Sequence, residues 1–290
     1  LNIFAFVFCV VLFIKGHLAP TGPDQGSSGN PIFDFYWGME LYPHILGWDV
    51  KHFTNCRFGM MGWVLLLLCF ADAQIDAHGS LATSMWVSLG LQFLYLTQFY
   101  WRESGYFYTM DVRVDRAGFY LVWGCIVWIP AVYTLVAGYL VMHPVELAWT
   151  VAVAIGLIGA LAILSKNDAN RQRLETRKTD GETTIWGKSP RVIRANYTDA
   201  DGQERESLLL ASGWWGIARH FHYTGEIIGA FCWSVVAGFQ SWVPYVYVIY
   251  LTVLLIHRTH RDEKKNRRKY GEDWEKYRRI VPWRLIPGLY

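Results

Sequence analysis

Apolar residues come in membrane-length blocks along this chain, separated by short stretches that carry most of its charge. A helix needs about 20 mostly apolar residues to cross a bilayer. Residues 58–73, 81–100, 119–142 and 147–165 reach or approach that length and predict spanning helices. A further pair, 227–239 and 243–257, is joined by Gln240-Ser241-Trp242. The first of that pair is too short to cross alone, so it predicts a broken or re-entrant element lining a protected cavity. Trp and Tyr crowd the ends of the blocks, where interface anchors belong. The chain opens in another apolar run, residues 1–14, with no basic stretch before it. That run reads as the tail of a spanning helix rather than a signal peptide, with at least one N-terminal element missing before it. The pattern predicts an all-α fold: a polytopic transmembrane helical bundle with cytosolic loops and a C-terminal cytosolic helix, in one membrane domain over 1–290.

Charge placement orients these blocks. Residues 166–178 hold Lys166, Arg171, Arg173, Arg177 and Lys178, and residues 258–279 carry ten Lys and Arg against five acids. Positive loops face the cytosol, which puts both stretches there. Between them, 179–207 reads as an ordered cytosolic loop, in the form of a hairpin. Its sequon Asn196-Tyr197-Thr198 therefore lies on the wrong side for glycosylation. Charged residues make up 18% of the chain, below the roughly 25% of a soluble domain. A net charge of +3 gives no support to nucleic-acid binding. The five cysteines form no CxxC pair and sit mostly in apolar runs, as buried reduced thiols do.

No metal site is expected, because His220 and His222 are two apart, which suits neither a helical pair nor a finger. There is no GxSxG, P-loop or Rossmann glycine pattern either, so a nucleotide would have to be held by side chains. Three groups offer themselves. Residues 208–226 pack Gly213, Gly216 and Gly225 beside Trp214, Trp215, Arg219, His220, His222, Tyr223 and Glu226. Flat indoles can stack, Arg219 and His220 can meet phosphate or carboxylate, and His222 and Tyr223 can hydrogen-bond a ring or amide. An interfacial aromatic belt is the competing reading, but it leaves the glycines unexplained. In the C-terminal stretch, Asp262, Asn266 and Tyr270 are spaced i, i+4, i+8, and Tyr277 falls near the same line. A solvated amphipathic helix competes there. Arg173 and Arg177, again i, i+4, match a phosphate as a pair. Near the membrane, Tyr95, Gln98, Arg102 and Glu103 end an apolar helix, with Asp111 and Asp115 beyond, and such groups are functional candidates by default.

Three stretches resemble the sterol reductase family of the endoplasmic reticulum. The first is Gly29 to Pro43, departing at Tyr42-Pro43-His44 where the family has Asn-Pro-Arg; the second is 208–226, with His222 for Asn and Glu226 for Asp. The third is the ending, from Lys269-Tyr270-Gly271-Glu272-Asp273-Trp274 to Pro287-Gly288-Leu289-Tyr290. Thr179-Asp180-Gly181, Ile185-Trp186-Gly187, Tyr197-Thr198 and Asp201-Gly202-Gln203 resemble the branch that reduces a C7–C8 sterol double bond. The resemblance implies an oxidoreductase of sterol biosynthesis, multi-pass in the endoplasmic reticulum membrane. Its partners would be a sterol substrate, membrane lipid and other sterol-biosynthesis enzymes, with no nucleic acid. It also implies NADPH, bound in the part from about 166 to 290 at Arg173, Arg177, Leu210, Trp215, His222, Tyr223, Asp262, Asn266, Tyr270 and Tyr277. Arg173 stands where relatives can have Lys, and Asn266 where one has Cys. For the protonation that accompanies hydride delivery, it implies Tyr95 as donor, Asp262 near the nicotinamide end and Glu103 in support, with Gln98 in place of an acid. The rival readings are a C14-sterol reductase, a non-catalytic sterol-binding scaffold, and a membrane methyltransferase suggested by the Arg219-His220-x-x-Tyr223 run.

Overall fold

In the computed structural model, three helices among the described residues are long and apolar enough to cross a membrane: Val50–His78, Phe119–Met142 and Trp149–Lys178. Residues 1–199 and 202–290 are described; Asp201 of the Asp201-Gly202-Gln203 run lies outside them. The chain divides into two compact units, Leu1–Ala148 with Val236–Val246, and Trp149–Val235 with Tyr247–Tyr290.

The first unit contains α1 (Asn2–Leu18), α2 (Pro31–Trp37), α3 (Val50–His78), α4 (Thr83–Trp101) and α5 (Phe119–Met142). Local chemistry sets their ends. Asn30 caps α2 by accepting the Ile32 and Phe33 amides at 3.0 and 3.2 Å, and Pro31 supplies a preset first turn. Asp49 caps α3 through the His52 amide at 2.8 Å, and α3 stops at Gly79 in the left-handed region. α3 therefore starts well before the apolar block at 58–73, through a π-helical stretch, Phe53–Met60. α4 covers the block at 81–100 but is not among the helices apolar enough to span, because it carries polar residues, with Ser84, Ser88 and Gln92 fully buried. Trp63 Nε1 donates to Gln92 Oε1 at 2.9 Å and Gln92 Nε2 to Ser88 Oγ at 3.0 Å, so these polar groups are satisfied inside the protein. An apolar cluster of Ala5, Cys9, Leu12, Val50, Val122 and Ile126 joins α1, α3 and α5.

Lys51 shows how a charge is accommodated at the start of α3. It is 1% exposed, and its Nζ donates to the carbonyls of Asp111, Val112 and Asp115 at 3.0, 2.8 and 2.5 Å. These include orphan carbonyls at the end of the short helix Met110–Arg113. Lys51→Met is expected to strand those acceptors and destabilise the protein by about 1.5–3 kcal/mol. Thermal unfolding in detergent checks this, and an unchanged melting temperature would refute the clasp.

The second unit contains α6 (Trp149–Lys178), an antiparallel hairpin of β1 (Val192–Thr198) and β2 (Glu204–Leu210), α7 (Phe221–Val235) and most of α8 (Val246–Ile280). The hairpin runs in register from Val192 opposite Leu210 to Thr198 opposite Glu204. It realises the strand pair expected within 179–207, extended by a few residues. α6 continues past the predicted end at 165 because the polar residues that follow contain no helix breaker. α7, the short element of the pair, packs closely along α6. A Cβ on Gly225 would lie 2.7 Å from the Ala162 carbonyl oxygen, so that glycine is a packing requirement. α8 breaks at Gly271, with φ of 51° and ψ of −119°. Beyond the break, Trp274 and Tyr277 join Tyr270, Ala195 and Leu209 in an apolar cluster against the hairpin. The C-terminal helix is thus not the freely solvated amphipathic element that spacing alone allowed.

Candidate functional site

The second unit assembles its site from α6, the 208–226 segment and α8. On α6, Arg173 and Arg177 share one face. The Arg173 guanidinium sits 4.5 Å from the centroid of the Trp215 ring, a stacking distance. Trp215 in turn lies 5.0 Å from His222, and His222 lies 4.1 Å from Tyr223, centroid to centroid. Tyr277 Oη donates to the Trp215 carbonyl at 3.3 Å. Arg177, Asp262, Tyr223 and Tyr277 are all within electrostatic reach of Arg173. Asn266 Nδ2 donates to Asp262 Oδ2 at 2.9 Å, which confirms the helical register read from spacing. Leu210 packs with Trp215 and Ile185, and Tyr270 meets Tyr197 edge-on at 5.6 Å. All ten residues singled out for a cofactor thus lie in this unit, linked by these contacts.

Its electrostatics suit an anion with a flat ring. Among the described residues, neither Arg173 nor Arg177 forms an ion pair with an acid; Arg177 Nε reaches only the Leu208 carbonyl, at 3.4 Å. The His222 Nδ1 atom is buried with no hydrogen-bond partner among the described residues. Burial, then the charges of Arg173, His220 and Lys166, hold the His222 imidazole well below its ordinary pKa, so it is neutral. A neutral imidazole can donate or accept a single hydrogen bond to a ligand amide or hydroxyl.

Arg219 has a different role from its neighbours. Read from sequence as a group for phosphate or carboxylate, it meets a carboxylate of its own chain. Its Nε donates to Glu263 Oε1 at 2.6 Å, and its Nη1 donates to the Val281 and Pro282 carbonyls at 2.5 and 2.8 Å. His220 Nε2 is 3.8 Å from the same Glu263 oxygen, beyond hydrogen-bond reach. Neither Glu263 nor its pairing stood out in the sequence, because 44 residues separate it from Arg219. Burial raises the Glu263 carboxyl, but His220 and Arg219 outweigh burial and hold it at about 2. The folded state therefore favours ionised Glu263. That stabilisation is complete above the ordinary value of 4.5 and is lost as pH falls from there toward about 2. Unfolding temperatures of the wild type are expected to fall more steeply than those of Glu263→Gln between about pH 5 and pH 3. Parallel curves would remove Glu263 as the source.

The remaining candidates lie in the first unit. Tyr95 is half-buried on α4, its ring 5.6 Å from Trp63. One turn on, the Gln98 Oε1 atom is buried with no hydrogen-bond partner among the described residues. Glu103 follows α4 and is held by His52 Nε2 at 2.5 Å and Arg57 Nη2 at 2.7 Å. Burial raises this carboxyl, but hydrogen bonds from Arg57 and His52, and their charges, hold it below its ordinary range. Glu103 is accordingly a carboxylate at neutral pH, able to orient or to neutralise but not to donate a proton.

Comparison with known proteins gives the family. The chain matches the model of the Ergosterol biosynthesis ERG4/ERG24 family over residues 2–290. It is 51% identical over 287 residues to a 7-dehydrocholesterol reductase of Arabidopsis thaliana, covering 99% of this chain and 66% of that protein. A 7-dehydrocholesterol reductase of Xenopus laevis is 40% identical over 291 residues, covering 100% and 62%. A Delta(14)-sterol reductase of Methylotuvimicrobium alcaliphilum is 37% identical over 289 residues, covering 100% and 65%. The chain spans just under two thirds of the length of each of these relatives. With a family match running along almost the whole chain, the protein belongs to the Ergosterol biosynthesis ERG4/ERG24 family.

Proposed function

We propose that this protein reduces the C7–C8 double bond of 5,7-diene sterols with NADPH, as in the conversion of 7-dehydrocholesterol to cholesterol, in the endoplasmic reticulum membrane. The observation that carries this reading is 51% identity to a 7-dehydrocholesterol reductase over 99% of the chain, against 37% to a Delta(14)-sterol reductase. The fit of the second unit to a dinucleotide supports the cofactor. Among the described residues, Arg173 and Arg177 form no ion pair with an acid, Trp215 offers an indole face, and His222 Nδ1 has no hydrogen-bond partner. Arg173 and Arg177 would bind phosphate, with His222 and Tyr223 fixing the orientation of a ring or amide. Leu210, Trp215, Asn266, Tyr270 and Tyr277 would complete the wall, with Asp262 toward the nicotinamide end. When bound, NADPH supplies the hydride. The chain's own contribution to the chemistry is a proton and a dry site: Tyr95 donates to one olefinic carbon, and Glu103 stays ionised in support.

The test uses membranes carrying this protein, NADPH, and either 7-dehydrocholesterol or a Δ14 sterol. Loss of the 5,7-diene absorbance with no change in the Δ14 sterol is expected. Reduction of the Δ14 sterol alone would assign the other branch, and NADPH-independent sterol binding without turnover would make the protein a scaffold. Reversing one charge of the phosphate pair, Arg173→Glu, is expected to raise the Kd for NADPH about 100-fold or more, since a charge-assisted bond is replaced by repulsion. An NADPH titration of the two proteins measures it.

A further inference from the structure

Two residues that touch none of the ten proposed cofactor groups by side-chain hydrogen bond nevertheless fix the segment that carries Trp215. Asp168 Oδ2 accepts the Trp214 indole N–H at 2.8 Å and the Gln172 side-chain N–H at 2.7 Å. Gln172 Oε1 accepts the Trp214 backbone N–H at 3.2 Å. Gln172 is buried and Asp168 is 30% exposed, so these bonds lie at the margin of the interior. The arrangement also accounts for Gly213. Its φ is +59°, and a Cβ there would collide with the Gln172 side chain and come within 2.7 Å of Ile185 Cγ2. At the next residue, Trp215 Nε1 donates to the Ala169 carbonyl at 2.7 Å, and its ring lies against Arg173.

We propose that Asp168 and Gln172 are positioning residues for the cofactor wall, setting the Trp215 ring against Arg173 by holding Trp214 and the turn at Gly213. The proposal rests on the cofactor reading of this unit but has a readout of its own. Asp168, Gln172 and Trp214 are joined by these three bonds, while the other Asp168 oxygen accepts from Arg171 at 2.6 Å. Gln172 spends its donor on Asp168 and its acceptor on the Trp214 amide, and Asp168 holds the Trp214 indole, so backbone and ring of Trp214 are fixed together. Removing either side chain frees the turn, and the neighbouring Trp215 ring loses its fixed angle to the guanidinium. Outer partners of this kind act through geometry rather than contact.

The experiment compares wild type with Gln172→Ala, Asp168→Ala and Asp168→Asn in detergent or nanodiscs. Hydrogen exchange over residues 213–218 is measured without cofactor, and the Kd for NADPH is measured by titration. Gln172→Ala and Asp168→Ala are expected to speed exchange and to weaken NADPH about tenfold, the loss of one or two hydrogen bonds. Asp168→Asn keeps an oxygen for the Trp214 indole and is expected to restore most of both. In a Trp215→Ala background, Gln172→Ala should cost no further affinity, because it acts through that ring. Unchanged exchange in Gln172→Ala, additive losses in the double variant, or Asp168→Asn as poor as Asp168→Ala would each overturn the proposal. If wild type binds no NADPH while Gln172→Ala still speeds exchange, the cofactor reading falls and the positioning of the segment stands.

Discussion

Arg219→Ala is expected to destabilise the protein by about 3–5 kcal/mol, the cost of removing a buried charge-assisted hydrogen bond and leaving two carbonyls without their donor. Arg219 and Glu263 are 3% and 8% exposed, and Arg219 donates to Glu263 at 2.6 Å. The next cations, Arg284 Nε and Arg278 Nε, are 3.6 and 3.9 Å from the other carboxylate oxygen and cannot replace the lost bond without moving. The same guanidinium holds the Val281 and Pro282 carbonyls, while the Arg219 and His220 amides donate to the Trp283 and Arg284 carbonyls at 3.0 and 2.8 Å. Arg219 thus ties the start of α7 to the C-terminal tail in both directions. Arg219→Lys should recover only part of the loss, because a single ammonium cannot serve a carboxylate and two carbonyls in one plane. Replacing both partners by apolar residues should cost less than Arg219→Ala alone. Denaturant or thermal unfolding decides it, and a loss under about 1 kcal/mol in Arg219→Ala would contradict the buried pair.

Which parts of this protein could be read from sequence follows from how local each feature is. Phe119–Met142 coincides with its apolar block, because length and hydropathy alone define a buried or lipid-facing helix. The start of α3 was hidden: Lys51, His52, Asn55 and Arg57 look like loop residues until Lys51 finds three carbonyls some 60 positions away. Within the site, the i, i+4 pairs Arg173/Arg177 and Asp262/Asn266 were legible because helical geometry fixes them. Tyr277 was placed by counting 100° per residue across Gly271, where the helix breaks. It reaches the site through the apolar cluster against the hairpin rather than through helical register. Asp168 and Gln172 were missed because their partner Trp214 lies more than 40 residues on, and no local spacing encodes that contact. Arg219 was seen but its partner was not, for the same reason.

Tyr95→Phe is expected to lower turnover of the 5,7-diene about 10²–10⁴-fold, the usual worth of a positioned general acid. Protonating an unactivated double bond calls for a neutral donor at the reacting carbon, and the candidates near α4 differ in whether they can be one. Glu103 is ionised by Arg57 and His52, and Gln98 carries no titratable proton. A phenol keeps its proton at neutral pH and can give it up when a cation forms beside it. Phe keeps the ring against Trp63, so the aromatic packing there should persist. NADPH affinity should also hold, since the groups proposed to bind it belong to the second unit. The expected signature is therefore a fall in kcat with unchanged cofactor Kd. Glu103→Gln should behave differently, with a smaller loss in rate that tracks the loosening of Arg57 and His52. If Tyr95→Phe keeps more than about a tenth of wild-type turnover, the proton reaches the sterol by another group. Gln98, one turn along the same helix and with its buried oxygen lacking a hydrogen-bond partner among the described residues, is then the first place to look for a bound water that carries it.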